Sequence, residues 1–289
     1  MPHEIAILIS TFERPRNLER CLASIEAQKG VDGRFEVIVT DDGSKDVTLD
    51  LTTATARRVN FPLGLTTHEH DGFRLARCRN EGVAATTAPY LLFTDGDCVL
   101  PPNHLRIHLE ERRPKYVIGS DCIRLNEEAS ARVDIDVIRN GEIASLVPLN
   151  ETWRLGWKAV RAKLYEWAHV PMRPRLSGNN IALWRSDFER VNGFDERFVG
   201  WGFEDRDLQN RLERARLRVR SILWQAANVH LWHAPDASFV RNGVGTANRL
   251  FFESEDRPIF CVEGLVKKGS REPVERVFPQ TKRVIRRIS

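Results

Sequence analysis

The chain has 289 residues, of which 42% are hydrophobic and 29% are charged, and its formal net charge is +4. This composition is that of an ordinary globular protein, and a chain of this length buries a sizeable core without needing disulfides or metal ions for stability. The mild positive charge gives no indication of nucleic-acid binding, and no stretch approaches the ~20 apolar residues that a transmembrane helix requires.

The five cysteines are an odd number, and none of them forms a C-x-x-C pair. This argues against a disulfide framework and against a zinc or redox motif of that spacing. The N-terminal sequence MPHEIAILIS has too short an apolar run for a signal peptide. We therefore expect a cytoplasmic protein. The C-terminal sequence KRVIRRIS is basic without an acid, which leaves two readings: a solvated, frayed terminus or peripheral contact with the anionic inner face of a membrane.

The first hundred residues alternate short apolar runs with helical periods. We predict strands over Ile5–Ser10, Phe35–Thr40, Leu63–His68 and Tyr90–Thr94, and helices over Leu18–Ala27, Asp46–Arg57 and Leu75–Ala84. This alternation is typical of βαβ units and a parallel sheet, which binds ligands beyond the carboxyl ends of its strands. The polar residues that directly follow a strand, and so predict a site at that edge, are Thr11, Asp41, Asp42, Asp95 and Asp97.

The second half of the chain is less regular. A helix is predicted over Asn150–Lys163, with Trp153, Trp157 and Val160 as its buried stripe at i, i+4 and i+7. We then predict a strand over Asn180–Trp184, followed by a short helix that Ser186 caps. A further helix begins near Glu204, and one more strand precedes Val229–His233. Because no linker divides the chain, we predict one mixed α/β domain whose halves span residues 1–98 and 99–235, with a C-terminal extension over 236–289.

The motif Asp95-Gly96-Asp97 follows a predicted buried strand. Two carboxylates this close can hold a hard divalent cation that bridges two phosphates, and the glycine lets the backbone approach a ligand; a surface turn is the alternative. His230 and His233 stand at i and i+3 after a strand, so that both can reach one metal, or one of them can be a core histidine.

Two further segments carry groups that suit a nucleotide. Asp42 could accept hydrogen bonds from a ribose hydroxyl or a base N–H, although an acid after a strand can also cap the next helix. Arg74 and Arg79 lie in a basic helical segment, and arginine suits bidentate contact with phosphate or carboxylate. A solvated basic face is the alternative for these arginines.

The sequence Trp201-Gly202-Phe203-Glu204-Asp205-Arg206-Asp207 places three acids at the start of a predicted helix, behind an aromatic residue and a glycine. Acids in a first helical turn are favoured by the helix dipole, which is the structural explanation. The functional one is that Trp201 offers a platform for a sugar face, above which a carboxylate takes the proton of an acceptor hydroxyl.

Together these motifs resemble the nucleotide-diphospho-sugar transferases of the GT-A fold. The N-terminal half, with its strand–TFER–helix opening, Asp-Asp-Gly-Ser and Asp-x-Asp, resembles glycosyltransferase family 2. The run SGNNIALWRSDFERVNGFDERFVGWGFEDRDLQNRL, followed by HLWH, resembles the C-terminal segment of the β-1,4-galactosyltransferases and of bacterial chondroitin-type polymerases. The resemblance spans roughly residues 4–235 and implies a Rossmann-like, mostly parallel central sheet flanked by helices.

The resemblance also implies roles for individual residues. The donor nucleotide sugar would be contacted by Thr11, Glu13, Asp42, Arg79, Asp95, Asn179 and Asn180. Arg74 is added as a donor contact from its place in the basic helical segment. The metal, Mn²⁺ or Mg²⁺, would be held by Asp97 and His233 with Asp95 beside it, and His230 falls where the galactosyltransferases have a methionine. Asp205 would be the general base, Glu204 a sugar contact, and Trp201 and Gly202 would shape the acceptor site.

The implied activity is inverting transfer of a hexose or N-acetylhexosamine from a UDP-sugar to a glycan or glycolipid hydroxyl, in bacterial surface polysaccharide synthesis. Two alternatives stay open. A sugar-phosphate nucleotidyltransferase shares this kind of sheet but usually carries a glycine-rich loop after the first strand, where this chain has Thr11-Phe12-Glu13-Arg14. A non-catalytic sugar-binding module would keep the fold without turnover.

Overall fold

The computed structural model describes residues 3–254, 257–267, 277–278 and 283–284. The strands are β1 (Ile5–Thr11), β2 (Phe35–Asp41), β3 (Leu63–Thr67), β4 (Tyr90–Asp95), β5 (Cys98–Val99), β6 (Tyr116–Gly119), β7 (Cys122–Arg124), β8 (Ile181–Trp184), β9 (Arg218–Ser221), β10 (Asn228–His230), β11 (Val277–Phe278) and β12 (Arg283–Val284). The helices are α1 (Pro15–Glu26), α2 (Thr48–Arg58), α3 (Leu75–Ala84), α4 (His104–Glu111), α5 (Glu127–Ala131), α6 (Ile135–Asn140), α7 (Leu149–Trp167), α8 (Arg185–Arg190), α9 (Glu204–Arg214) and α10 (Ala247–Glu253), with 3₁₀ turns at Glu142–Leu146 and Arg241–Gly243.

The main sheet has nine strands in the order β12-β11-β3-β2-β1-β4-β8-β6-β9. Its centre is parallel, because β1 pairs in parallel with both β2 and β4, and β2 with β3. β8 runs antiparallel between β4 and β6, and β6 pairs in parallel with β9. The predicted α/β class with a mostly parallel sheet is confirmed, and strands from both halves of the chain build this one sheet.

Helices cover both faces of the sheet because its central strands are apolar on both sides. In β1, Ile5, Ile7 and Ile9 pack into a core with α1, whereas Ala6 and Leu8 point to the opposite face and pack with α3. Alternate side chains of a strand face opposite sides of the sheet, so a continuous apolar run is the pattern of a strand that is buried twice. The carboxyl ends of β1, β2 and β4 are thereby held at one edge.

A second sheet of three strands, β5-β10-β7, brings the end of the second half to that edge. β10 runs antiparallel to β5, with His230 opposite Cys98, and the Leu231 N–H donates to the Asp97 carbonyl oxygen at 2.8 Å. This pairing places the two histidines beside the acidic motif. Nothing in the apolar periodicity of residues 99–150 predicted this small sheet.

Helix α7 forms where it was predicted, but its expected buried stripe is wrong. Trp153, Trp157 and Val160 are 70%, 67% and 48% exposed. The buried side chains are Leu155, Ala159 and Ala162 instead. The helix is apolar on two faces, and the face with the smaller residues allows it to approach the body of the protein closely, in a cluster with Leu223.

All five cysteines are buried free thiols. Within the described residues, no helix combines the length and the apolar character needed to cross a lipid bilayer. The predicted membrane contact of the basic C-terminus depends on the side chains at positions 282, 283, 286 and 287. These side chains lie outside what the structure describes, which at 283–284 is the strand β12 alone.

Candidate active site

A cleft of about 400 Å³ opens at the carboxyl ends of β1, β2 and β4. Seven residues singled out from the sequence line it: Thr11, Asp42, Asp95, Asp97, Trp201, His230 and His233. They come from stretches up to about two hundred residues apart, and the sheet edge, the small second sheet and the loop before α9 bring them together. The remaining wall is made by Ser10, Phe12, Arg14, Phe73, Leu75, Cys78, Arg124, Pro235, Asp236 and Phe239.

One carboxylate and two imidazoles form a compact group in this cleft. His233 Nε2 lies 3.1 Å from Asp97 Oδ2, and His230 Nε2 lies 3.6 Å from Asp97 Oδ1. Ligand atoms of the three residues all lie within 4.8 Å of one another. Two imidazole nitrogens and a carboxylate oxygen are a donor set that a first-row divalent metal accepts, so these side chains fit a metal site.

The charge on Asp97 is strongly favoured by its surroundings. Burial alone would raise its pKa, but the hydrogen bond with His233 and the nearby His230 and Arg14 lower the pKa of Asp97 to about 2. Arg14 contributes an ion pair to Asp97 Oδ2 at 3.2 Å. The pKa of His233 is raised, because its hydrogen bond and charge interaction with Asp97 outweigh burial. Asp97 is therefore an anion ready to bind a cation.

Asp95 lies in the same cleft, but it is paired with a buried arginine. Its Oδ1 accepts a hydrogen bond from Arg79 at 3.2 Å, and it is not part of the compact group of possible metal ligands described above. Arg79 also donates to Glu204 Oε1 at 3.1 Å, and its side chain is 1% exposed. The guanidinium therefore links the acidic motif to the start of α9 from inside the protein. A contact for a diphosphate would instead face the cleft.

Glu204 and Asp205 stand side by side at the start of α9. Burial, and then the charge of Asp205, raises the pKa of Glu204 to about 7 against the opposing effect of Arg79. Burial likewise raises the pKa of Asp205. The Asp205 carboxylate accepts hydrogen bonds from the N–H groups of Arg206 at 2.7 Å and Gly178 at 3.3 Å, which fixes its orientation. Neither acid lines the 400 Å³ cleft itself.

Gly178 has a specific reason to be glycine. An added Cβ would lie 2.5 Å from an Arg79 guanidinium nitrogen, which is closer than any carbon atom could come without moving it. Its N–H also holds Asp205. The loop before β8 thus packs directly onto the arginine that links Asp95 with Glu204.

The two acids after β2 have separate tasks. Asp41 accepts hydrogen bonds from the backbone of Gly43 and Ser44 and from the Thr67 hydroxyl, so it builds the turn. Asp42 lines the cleft and accepts from His68 Nε2 at 2.8 Å and from the Arg74 N–H at 3.0 Å. The sequence left a capping and a binding role open for this motif, and the structure assigns the turn to the first acid and the cleft to the second.

His68 is buried between two carboxylates, Asp42 and Glu81, each 2.8 Å from one ring nitrogen. Burial lowers the pKa of a histidine, but the hydrogen bonds to Asp42 and Glu81 outweigh it and raise the pKa of His68 to about 9. An imidazolium in this position orients the Asp42 carboxyl through the hydrogen bond at Nε2. Sequence analysis passed over His68, since a histidine at a strand end carries no signal until its partners are known.

Residues at the end of β1 form the floor beside Asp42. Thr11 Oγ1 is buried without a hydrogen-bond partner, which leaves a polar atom available to a ligand in the cleft. Phe12 stacks on His70 with ring centroids 4.2 Å apart and planes 12° apart. Glu13 is exposed and does not line the cleft; its N–H donates to Ser44 Oγ at 2.8 Å.

The loop before α9 carries the aromatic platform. Trp201 lines the cleft, is 41% exposed, and meets Phe239 edge-on with centroids 4.7 Å apart. Gly202 and Phe203 both have positive φ, at 91° and 77°. The carbonyl of Gly202 accepts from Asn248 at 3.0 Å. A bulky residue held in the left-handed region is strained, and such strain persists only where surrounding contacts impose it.

Two predicted donor contacts lie elsewhere. Asn180 is fully buried, and its amide binds His108 at 3.0 Å and the Ala226 carbonyl at 3.3 Å, so its hydrogen bonds serve the core beneath β8. The Arg74 guanidinium binds Asp71 at 2.5 Å, and only its backbone N–H reaches the candidate site. Asn179 Oδ1 is buried without a partner.

Residues 6–123 match the family model described as glycosyl transferase family 2, and residues 160–233 match the model described as N-terminal domain of galactosyltransferase. A validoxylamine A glucosyltransferase of Streptomyces hygroscopicus subsp. limoneus is 29% identical over 72% of this chain and 47% of its own length. A chondroitin synthase of Escherichia coli is 27% identical over 75% of this chain and 33% of its own length. The chain thus spans half or less of the length of these two relatives.

Solved structures agree on the fold. Staphylococcus aureus TarS 1-349 in complex with UDP-GlcNAc superposes with a TM-score of 0.57, at 16% identity, covering 82% of this chain and 62% of the other. The mannosyltransferase PcManGT from Pyrobaculum calidifontis, in complex with GDP-Man and Mn²⁺, gives a TM-score of 0.52 at 16% identity, covering 83% and 61%. These neighbours are GT-A glycosyltransferases, as the sequence motifs had indicated.

Proposed function

We propose that this chain, which combines a glycosyltransferase family 2 domain with a galactosyltransferase-type segment on a GT-A fold, is an inverting, metal-dependent glycosyltransferase. It moves a hexose or N-acetylhexosamine from a UDP-sugar to a hydroxyl of a glycan or glycolipid. The observation that carries the proposal is the group of Asp97, His230 and His233 in a cleft that Thr11 and Asp42 also line.

Asp97, His233 and His230 would hold the divalent cation. The two imidazoles favour Mn²⁺ over Mg²⁺, since Mg²⁺ is bound through carboxylates, phosphates and water, while imidazole suits transition metals. When bound, the cation neutralises charge on the leaving diphosphate. The Mn²⁺ in the GDP-Man complex of the Pyrobaculum mannosyltransferase supports the same type of site here.

The nucleotide is assigned to the β1–β2 side of the cleft. Asp42 is oriented by its hydrogen bond with His68 and would accept from the base or the ribose, and the unpartnered Thr11 hydroxyl would supply a second polar contact. The stacked pair of Phe12 and His70 offers an apolar edge beside them. We propose UDP as the nucleotide of the donor, and the structure of a fold neighbour in complex with UDP-GlcNAc supports this.

Asp205 is the proposed general base. Burial raises its pKa toward the range where a base accepts a proton effectively near neutral pH, and two backbone N–H groups fix its orientation. The acceptor hydroxyl gives its proton to Asp205 as its oxygen forms a bond to the anomeric carbon, and the bond to the diphosphate breaks on the opposite side. A single displacement of this kind inverts the anomeric configuration.

The acceptor side is assigned to the Trp201 loop. Trp201 presents an exposed ring to the cleft, and the positive φ at Gly202 sets the backbone that carries it. A role in bacterial surface polysaccharide synthesis is part of the proposal, and the similarity to a chondroitin synthase of Escherichia coli supports a polysaccharide as the product.

The test is release of UDP from a panel of UDP-sugars, with glycan acceptors, in the presence of Mn²⁺, of Mg²⁺ or of a chelator. We expect release that requires both an acceptor and Mn²⁺. Asp205→Asn should abolish turnover while Mn²⁺-dependent binding of the UDP-sugar survives, which thermal stabilisation of the folded state would report. Asp187→Asn, an acid in the short helix α8 outside the cleft, is the matched control.

Three results would contradict the proposal. Undiminished turnover by Asp205→Asn removes this residue as the base. Formation of pyrophosphate from a nucleoside triphosphate and a sugar phosphate identifies a nucleotidyltransferase. Metal-dependent binding of the UDP-sugar without release of UDP, across the acceptor panel, identifies a sugar-binding module.

A further inference from the structure

Helix α7 displays a continuous apolar stripe to solvent, away from the candidate active site. The stripe consists of Leu149, Trp153, Trp157, Val160, Leu164 and Trp167, which are between 48% and 82% exposed. With 3.6 residues per turn, all six fall within an arc of about 80° on the helix surface. A row of exposed large side chains, three of them tryptophan, is a patch that marks an interaction site.

The stripe contributes nothing to the core of this chain. The helix is anchored through its opposite face, where Leu155, Ala159 and Ala162 are buried. Its N-terminal turn is held by Glu151, which accepts from the Arg124 backbone N–H at 2.8 Å, and by Arg154, which donates to Asp121 at 3.1 Å. A helix secured in this way keeps its shape without a partner on the exposed side.

A strongly basic cleft of about 900 Å³ adjoins the C-terminal end of the helix. Its cationic side chains are Lys163, Arg173, Arg214, Arg216, Arg218 and Arg220, against two acids, Glu166 and Glu213. Among the residues that the structure describes, Arg173, Arg216 and Arg218 have no carboxylate within ion-pair distance. Trp167 lines this cleft as well as ending the stripe, so the apolar row and the cations form one surface.

We propose that this surface, the α7 stripe with the basic cleft, docks the protein onto an anionic lipid bilayer. Tryptophan is favoured at the boundary between headgroups and acyl chains, where an amphipathic helix lies in the plane of the membrane. Each Lys or Arg near an anionic leaflet adds electrostatic attraction to it. The pairing of tryptophans with unpaired cations therefore matches a negatively charged membrane on both counts.

The charges beside the stripe disfavour a second copy of the chain as the occupant. The 4-3-4-3 spacing from Trp153 to Trp167 is one that two helices could share in a coiled coil. The positions that flank such a seam carry Arg154, Arg161 and Lys163 and no acid. Arg154 and Lys163 are already paired with acids of their own chain, so Arg161 is the flanking cation that two copies would place against its counterpart. An anionic headgroup would neutralise that charge instead.

The test measures co-sedimentation of the full chain with vesicles of phosphatidylcholine alone or mixed with phosphatidylglycerol, at low and high salt. We expect binding to the anionic vesicles that weakens with salt. The triple variant Trp153→Ser, Trp157→Ser and Trp167→Ser should lower the partition coefficient about tenfold or more, and Arg216→Glu with Arg218→Glu should remove the preference for anionic lipid.

Matched controls distinguish vesicle binding through this surface from non-specific hydrophobic binding and from binding through the basic C-terminus. Trp224→Ser changes a tryptophan that is 72% exposed but lies outside α7, and Arg57→Glu with Arg190→Glu changes exposed cations on α2 and α8. Both controls should bind like the unaltered chain. All variants keep the C-terminal residues.

Several outcomes would overturn the inference. Wild-type binding by the triple tryptophan variant would place the contact elsewhere, the basic C-terminus included. Equal binding to neutral and anionic vesicles would show that the cations of the cleft do not contribute to membrane binding. A dimer in sedimentation velocity that the tryptophan variant dissociates, with no vesicle binding, would identify a second copy as the occupant.

Discussion

Replacing Arg79 with methionine tests whether the buried guanidinium holds the candidate site together. Arg79 bridges Asp95 and Glu204 at 3.2 and 3.1 Å and stacks over the Phe194 ring at 5.1 Å. Methionine fills much of the volume but leaves the buried Glu204 and the partly buried Asp95 without their cation. Removing one partner of a buried ion pair typically costs 3–5 kcal/mol, so we expect the free energy of unfolding to fall by about that amount near neutral pH.

The loss should depend on pH, and its sign follows from proton linkage. Glu204 already has a pKa of about 7, above the value of an unfolded glutamate. A carboxyl whose pKa is raised on folding binds more protons in the folded state, so stability falls as pH rises between the two pKa values. Without Arg79 the pKa values of Glu204 and Asp95 rise further. The difference between variant and wild type should therefore be small near pH 5 and largest above pH 7, by this linkage argument.

Urea denaturation followed by circular dichroism, at intervals across that pH range, measures the effect. Arg34→Met is the control, because its ion pair with Glu4 is about 40% exposed on both sides and should be worth at most about 1 kcal/mol. A loss for Arg79→Met that is no larger than the control, or that does not grow with pH, would show that Asp95 and Glu204 do not depend on this arginine.

Three further changes probe neighbouring contacts. Gly178→Ala should destabilise the fold by about 1–3 kcal/mol, because the added Cβ would meet the buried Arg79 guanidinium. Gly156→Ala in α7 should stabilise the fold by up to about 1 kcal/mol, because no atom lies within 4 Å of the added Cβ. Thermal melts compare the two variants. His68→Gln should weaken nucleotide binding by removing the cation that orients Asp42. In the unaltered protein, the affinity measured by calorimetry should fall as the pH rises past the His68 pKa of about 9. Asp97→Ala should reduce Mn²⁺ affinity about a hundredfold or more, because it removes the only carboxylate of the described metal-binding group, and unchanged Mn²⁺ titration would contradict that assignment.

Local sequence pattern was sufficient for the first half of the fold. The strand predicted over Tyr90–Thr94 is observed as Tyr90–Asp95, and the helix over Leu75–Ala84 is observed with the same bounds. Buried parallel strands are continuous apolar runs, and amphipathic helices carry a 3.6-residue period, so both are visible in a single sequence. The order of strand and helix then implied a parallel sheet, and residues after strand ends had to meet at one edge.

The sequence by itself therefore determined the α/β class, the edge that carries the site, and the types of residue that line it. Tertiary structure alone decided how those residues are partnered. Asp97 meets His233 only because the small sheet carries β10 to β5, and Arg79 turns inward only because Asp95 and Glu204 converge on it.

The same distinction explains the two faces of α7. Leu155 and Trp157 both belong to apolar stripes with helical spacing, so the sequence permits either face to be buried. The choice rests on the shape of the surface that the helix meets: the small side chains of Ala159 and Ala162 allow close packing, and the tryptophans remain outside. Periodicity specifies that a helix has an apolar face, but packing against residues distant in sequence determines which face is buried.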